Sequence, residues 1–274
     1  LHDLGCRLDG LALIAAEKGH VLVLRALVEL GANIHLADVE GQPKPAHVAA
    51  ASGQVAILKE LSDLGFSLDV QDKSARRPAH YAARHNQVAS LRMLNQLGVN
   101  LSALGYADES PIHTAALSGQ LEALSVLVEL GVDLNVQNSE GKTALCVAIE
   151  YATEERVIAL LAALDGFNLS LVSDGGLTLA HYAASSNKPR VLSRLYELGA
   201  DITAENDDGI TPQKIAEVQR REEVLNVFHR LRAIEAMPQN PSRFFSQPNT
   251  DSDVGASVAE SEKNEPDRKR LRND

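Results

Sequence analysis

Tryptophan is absent from this 274-residue chain, cysteine and methionine occur twice each, and aromatic residues make up 4% of it. Yet 45% of the residues are apolar, so the packing falls to small aliphatic side chains, and that suits thin helices in close contact. The two cysteines, Cys6 and Cys146, lie far apart in sequence, which argues against a bridge and for a reducing compartment. No apolar run reaches transmembrane length, and no membrane association is expected. Basic residues are also in deficit, 26 against 37 acidic ones for a net charge of -11, which argues against general nucleic-acid binding. Gly-x-Ser-x-Gly, a phosphate loop, Cys-x-x-Cys and His-Glu-x-x-His are all missing, so neither catalysis nor a cofactor nor a metal site is expected.

What the chain does contain is a period. Leu-Gly recurs at Leu30-Gly31, Leu64-Gly65, Leu97-Gly98, Leu130-Gly131 and Leu198-Gly199, with Asp165-Gly166 in the same slot; the gaps between these glycines are 34, 33, 33, 35 and 33 residues. A second phrase keeps step with the first: Lys-Pro-Ala-His-Val-Ala-Ala from Lys44, Arg-Pro-Ala-His-Tyr-Ala-Ala from Arg77, Ser-Pro-Ile-His-Thr-Ala-Ala from Ser110 and Thr-Leu-Ala-His-Tyr-Ala-Ala from Thr178. Two phrases locked at this spacing resemble the ankyrin repeat, over about residues 10 to 236. The resemblance implies an all-α repeat solenoid: stacked helix-turn-helix units with projecting β-hairpin loops.

The residues support the same unit independently. In the fourth repeat Ser110-Pro111 suits a helix start and Gly119 its end, and Leu121, Leu124, Leu127, Val128 and Leu130 then mark one face of a second helix. Asn86 and Asn187 replace that closing glycine in the third and sixth units, as a left-handed backbone position would favour. Ala75 stands where the other turns have glycine. The second unit has an extra residue around Pro43, and the fifth has two between Glu150 and Arg156 together with Cys146 in the histidine slot, so longer or shifted helices are expected there. The last unit, with Lys214 in that slot, reads as a solvent-facing cap.

Residues 1–9 read as the remnant of a preceding repeat, residues 10–236 as the repeat domain, and residues 237–274 as a disordered tail rich in Pro, Ser and Asp. The chain starts without Met and reads as part of a longer protein. Within the tail, Arg268, Lys269, Arg270 and Arg272 resemble a nuclear-import signal, and the acidic stretch from Ser246 to Glu262 resembles the tails of inhibitory ankyrin proteins that retain transcription factors.

His47, His80, His113 and His181 recur once per unit and so cannot converge on one ion; in the ankyrin family the matching histidine ties neighbouring hairpins together. Cys146 falls inside a packed helix, where a thiol behaves as a small hydrophobe. The resemblance places partner binding on the hairpin tips and first-helix ends. There, the residue types that anchor interfaces are Arg76, Arg84, His85, Tyr106, Leu117 and Tyr151. The function expected is a monomeric, cytoplasmic scaffold that binds another protein through the concave face, the basic residues of the tail leaving nuclear entry open. The alternatives are the targeting module of a larger enzyme or secreted bacterial effector, or an inhibitor of a nuclear factor.

Overall fold

The computed structural model describes residues 2–32 and 43–235. Among them, α1 (His2–Lys18) and α2 (Val21–Glu29) form the first helix pair. It is followed by α3 (Pro45–Ala51) with α4 (Val55–Asp63), α5 (Pro78–Arg84) with α6 (Val88–Gln96), α7 (Pro111–Leu117) with α8 (Leu121–Glu129), and α9 (Ala144–Tyr151) with α10 (Glu154–Ala163). The last pairs are α11 (Leu179–Ser185) with α12 (Pro189–Glu197) and α13 (Pro212–Val218) with α14 (Glu222–Glu235). First helices pack on first helices from α1 through α13, and second helices on second helices from α2 through α12.

Alanine makes the first layer thin. Ala49-Ala50, Ala82-Ala83, Ala115-Ala116 and Ala183-Ala184 are wholly buried, where a larger side chain would have to displace the neighbouring helix. The second layer fills the remaining space with leucine: Leu58 and Leu61, Leu91 and Leu94, Leu124 and Leu127, Leu192 and Leu195. These residues form one continuous core along the stack.

Three features refine what the sequence implied. Residues 2–9 are helical and continuous with the rest of α1. The projecting loops contain no strand among the described residues; the nearest thing to one is a single bridge between Ser173 and Leu177. Each described loop is instead a five-residue tip whose ends are joined by a backbone hydrogen bond, from Asp72 N to Arg76 O, Gly105 N to Glu109 O, Asn138 N to Lys142 O, Ser173 N to Leu177 O and Asn206 N to Ile210 O, with a second, turn-type bond inside it. In three of them the Asp72, Asn138 or Asn206 side chain accepts two further amides of the tip, leaving those amides unable to build a ladder. The fifth unit is longer, as expected: α9 and α10 have 8 and 10 residues, against 7 and 9 in α7 and α8.

Backbone conformation follows the substitution pattern. Ala75, Asn86 and Asn187 have φ of 54°, 56° and 53°, so alanine and asparagine occupy positions that glycine fills elsewhere. Gly119 has a second constraint besides its φ of +64°, since a Cβ there would lie 2.4 Å from Arg156 Cδ. The fourth tip departs further: Ala107 and Asp108 both have φ of 56°, a pair of left-handed residues without glycine.

Candidate functional site

Two sets of hydrogen bonds hold the tips in place. The first is made by the histidines. Nδ1 of His47, His80, His113 and His181 accepts the backbone N–H three residues earlier, so Nε2 carries the proton and donates it to the next tip, at Arg76 O, Glu109 O, Lys142 O and Ile210 O, over 2.9 to 3.0 Å. Burial lowers the pKa of all four, and the neutral form is the one this geometry uses. The second set joins tip to tip: Tyr106 N to Ser74 O, Ser139 N to Ala107 O, Asp174 N to Glu140 O and Asp207 N to Gly175 O.

A third set lies at the other end of the first helices and was not apparent from sequence. At four second helices a residue at or just inside the start reaches back to a carbonyl of the preceding unit: Gln54 to Glu17 O, Gln120 to Arg84 O, Arg156 to Ser118 O and Arg221 to Ser185 O. These carbonyls belong to helix ends that have no intrahelical donor. At the fifth unit α9 runs into Ala152 without a left-handed residue, and Lys188 donates to both Ile149 O and Ala152 O. Lys188 is 8% exposed, and burial lowers its pKa.

This frame positions a cleft of about 440 Å³ between α5 and α7. Arg76 comes from the third tip, His80, Tyr81 and Arg84 from α5, Glu109 from the fourth tip, and Thr114, Leu117 and Ser118 from the last part of the fourth unit's first helix and its cap. Most of its polar groups are already engaged. His80 donates to Glu109 O, the Tyr81 hydroxyl donates to Asp72 Oδ2 at 2.7 Å, and Thr114 Oγ1 lies 3.4 Å from Ser110 O. Burial and the Asp72 carboxylate push the Tyr81 hydroxyl up to about 12. Burial alone would raise Asp72, but the hydrogen bonds from Tyr81, Arg76 N and Ser74 N lower it. Burial raises Glu109, against the opposing pull of Arg76.

Of the six residues singled out by sequence, Arg76, Arg84 and Leu117 line this one cleft. His85 follows α5 directly and is exposed. Tyr106 is 74% exposed on the fourth tip, and Tyr151, at the end of α9, is 61% exposed. Arg268, Lys269, Arg270 and Arg272, the rest of the tail and residues 33–42 of the second tip lie outside the described residues. Next along the stack Lys142 bonds to both Glu140 and Glu150 at 2.7 Å and sits 5.6 Å from the Tyr182 ring centroid. Burial there would lower the lysine pKa, but the two carboxylates outweigh it and raise the value. Cys146 is buried 3.4 Å from Thr143 Oγ1, its pKa raised by burial, and is not placed for nucleophilic chemistry.

A family model for ankyrin repeats, spanning three copies, matches residues 12–104 and again 112–206. The chain belongs to the ankyrin-repeat family. Ankyrin repeats as a group mediate protein–protein interaction and are non-catalytic binding modules. The structure is similar to the human ASB11 ankyrin repeat domain, with a TM-score of 0.66 and 24% identity over 79% of this chain and 96% of that one. It is likewise similar to the ankyrin repeat domain of Bcl-3, described as a member of the IkappaB protein family, with a TM-score of 0.64 and 24% identity over 78% of this chain and 97% of that one. No curated protein sequence matches this chain. Among the described residues no helix is long and apolar enough to cross a membrane.

Proposed function

We propose that this ankyrin-repeat protein is a monomeric, non-catalytic scaffold that binds another protein across the tips and first-helix ends of units three to five. The observation that carries this reading is the cleft between α5 and α7, around which Arg76, Arg84 and a 40% exposed Leu117 meet, with Tyr106 standing exposed on the adjoining tip. Exposed aromatic and aliphatic side chains beside arginine are the composition of an interface centre. The proposal assigns residues 10–236 to the scaffold and 237–274 to a tail carrying the import signal, with the protein acting inside the cell.

The test is partner recovery from native cell extract with the full chain and with Tyr106→Ala combined with Leu117→Ala. Both positions are exposed, so the fold should survive, which a thermal melt verifies. Loss of the recovered partner is expected; recovery equal to the parent overturns the proposal.

A further inference from the structure

The arginines of the cleft differ from most other cations of the stack. Arg25 pairs with Glu60, Arg77 with Asp69, Arg92 with Glu129, Arg190 with Glu155, Arg194 with Glu197, and Lys142 with two glutamates. Arg156, Lys188 and Arg221 instead donate to backbone carbonyls. Arg76 and Arg84, by contrast, have side chains with no hydrogen-bond or ion-pair partner among the described residues, although the chain carries an excess of carboxylates. Acidic groups do lie nearby. Asp72 is occupied by Tyr81 and by the amides of its own tip, and Glu109 lines the cleft without closing an ion pair.

From this we infer that the cleft receives an acidic peptide segment of the partner, with an Asp or Glu carboxylate between Arg76 and Arg84 and a neighbouring aliphatic or aromatic side chain against Leu117. The inference rests on the protein-binding reading above and specifies its chemistry. Three features support it. The two guanidinium groups are the cleft's uncommitted cationic donors, and their fork geometry matches a carboxylate. His80 is neutral and already donating, so it does not compete for the anion. Glu109, which also lines the cleft and feels the charge of Arg76, disfavours a second carboxylate, so a lone acid beside an apolar residue fits better than a polyacidic run. The cleft volume suits two or three side chains, not a folded element.

The experiment is a selection from a random dodecamer peptide display library on the full-length protein, with Arg76→Gln/Arg84→Gln as the parallel bait. The expected outcome is enrichment of peptides holding an Asp or Glu within a few positions of Leu, Ile or Phe, and their absence from the variant's selection. A synthetic peptide of that consensus should bind the parent, weaken at least about tenfold when its acid is replaced by the amide, and weaken further with added salt. Enrichment without an acidic residue, enrichment of basic peptides, equal enrichment on the variant or no enrichment at all would each overturn the inference. The two readings separate in the extract experiment. A partner lost with Tyr106→Ala/Leu117→Ala but retained with Arg76→Gln/Arg84→Gln leaves the scaffold standing and removes the acidic segment. Retention in both variants removes both readings.

Discussion

The joint between the fourth and fifth units and the joint between the fifth and sixth solve the same problem with different chemistry. At the former, His113 spans from α7 to Lys142 O, and Arg156 covers Ser118 O behind it. At the latter, Cys146 occupies the histidine slot, and no side chain reaches from α9 to Leu177 O, which accepts from Ser173 of its own tip instead. Binding has moved to the far end of the helix, where Lys188 takes two carbonyls, and to Glu154, which accepts the Arg190 and Val191 amides at the start of α12. Gln137 adds a bond to Val172 O at 2.8 Å. A solenoid therefore does not need every unit to use one linkage, provided that each buried polar group finds a partner at some point along the joint.

If that is the right comparison, Lys188→Met should be the most damaging change. It keeps the apolar stem but leaves two buried carbonyls without a donor, a loss of about 3 kcal/mol read by urea unfolding. A midpoint equal to the parent would mean that apolar contact alone holds the fifth and sixth units together. His113→Ala should follow at about 2 kcal/mol, since it removes one inter-unit bond where the rest of the joint stays intact.

The same variant sharpens the acid limb. His47, His80, His113 and His181 have their pKa values lowered by burial, so the unfolded chain takes up more protons than the folded one once the pH drops below about 6.5. Their contribution is fully present above that value and is lost as the pH falls toward the depressed folded-state values. His113→Ala should flatten part of that loss, as measured by unfolding midpoints across the acid range; an unchanged slope would show that the histidine charges are accommodated. Cys146, occupying the same slot, contributes nothing to that limb.

Ala75→Gly should stabilise the protein by about 1 kcal/mol, because a residue with φ of 54° is strained when it carries a Cβ. A decrease would mean that the gain in unfolded-state entropy outweighs the relief. The smallest effect belongs to the cleft. Arg76→Gln with Arg84→Gln should leave stability within about 0.5 kcal/mol, since neither side chain holds anything in place; a larger drop would assign them a structural role.

How much of this was legible in sequence depends on how far each interaction repeats. The helix pairs, the alanine layer, the left-handed Ala75, Asn86 and Asn187, and the lengthened fifth unit all follow from period and phase, because backbone geometry imposes the same demand in every unit. The tips were harder. A Gly-containing turn after an extended run suggests a hairpin, whereas the Asp72, Asn138 and Asn206 side chains accept the tip amides locally. The reach of Gln54, Gln120, Arg156, Lys188 and Arg221 to carbonyls one unit back was not legible, because three residue types serve one role and no shared letter marks it. The cleft was half legible: Arg76, Arg84 and Leu117 stood out by type and position, while the engagement of Tyr81 with Asp72 depends on a contact that single residues do not reveal.

The bonds from tip to tip have a mechanical consequence. Hydrogen bonds from the amides of Tyr106, Ser139, Asp174 and Asp207 to the carbonyls of Ser74, Ala107, Glu140 and Gly175 make one edge of the stack a line of short, nearly inextensible ties, unbroken even at the fifth unit. The second-helix edge is held largely by leucine contacts, which slide more readily than hydrogen bonds stretch. Flexing should therefore pivot about the tips and be taken up at the opposite edge, so a partner seated on the tips would meet a fixed spacing while the back of the protein breathes.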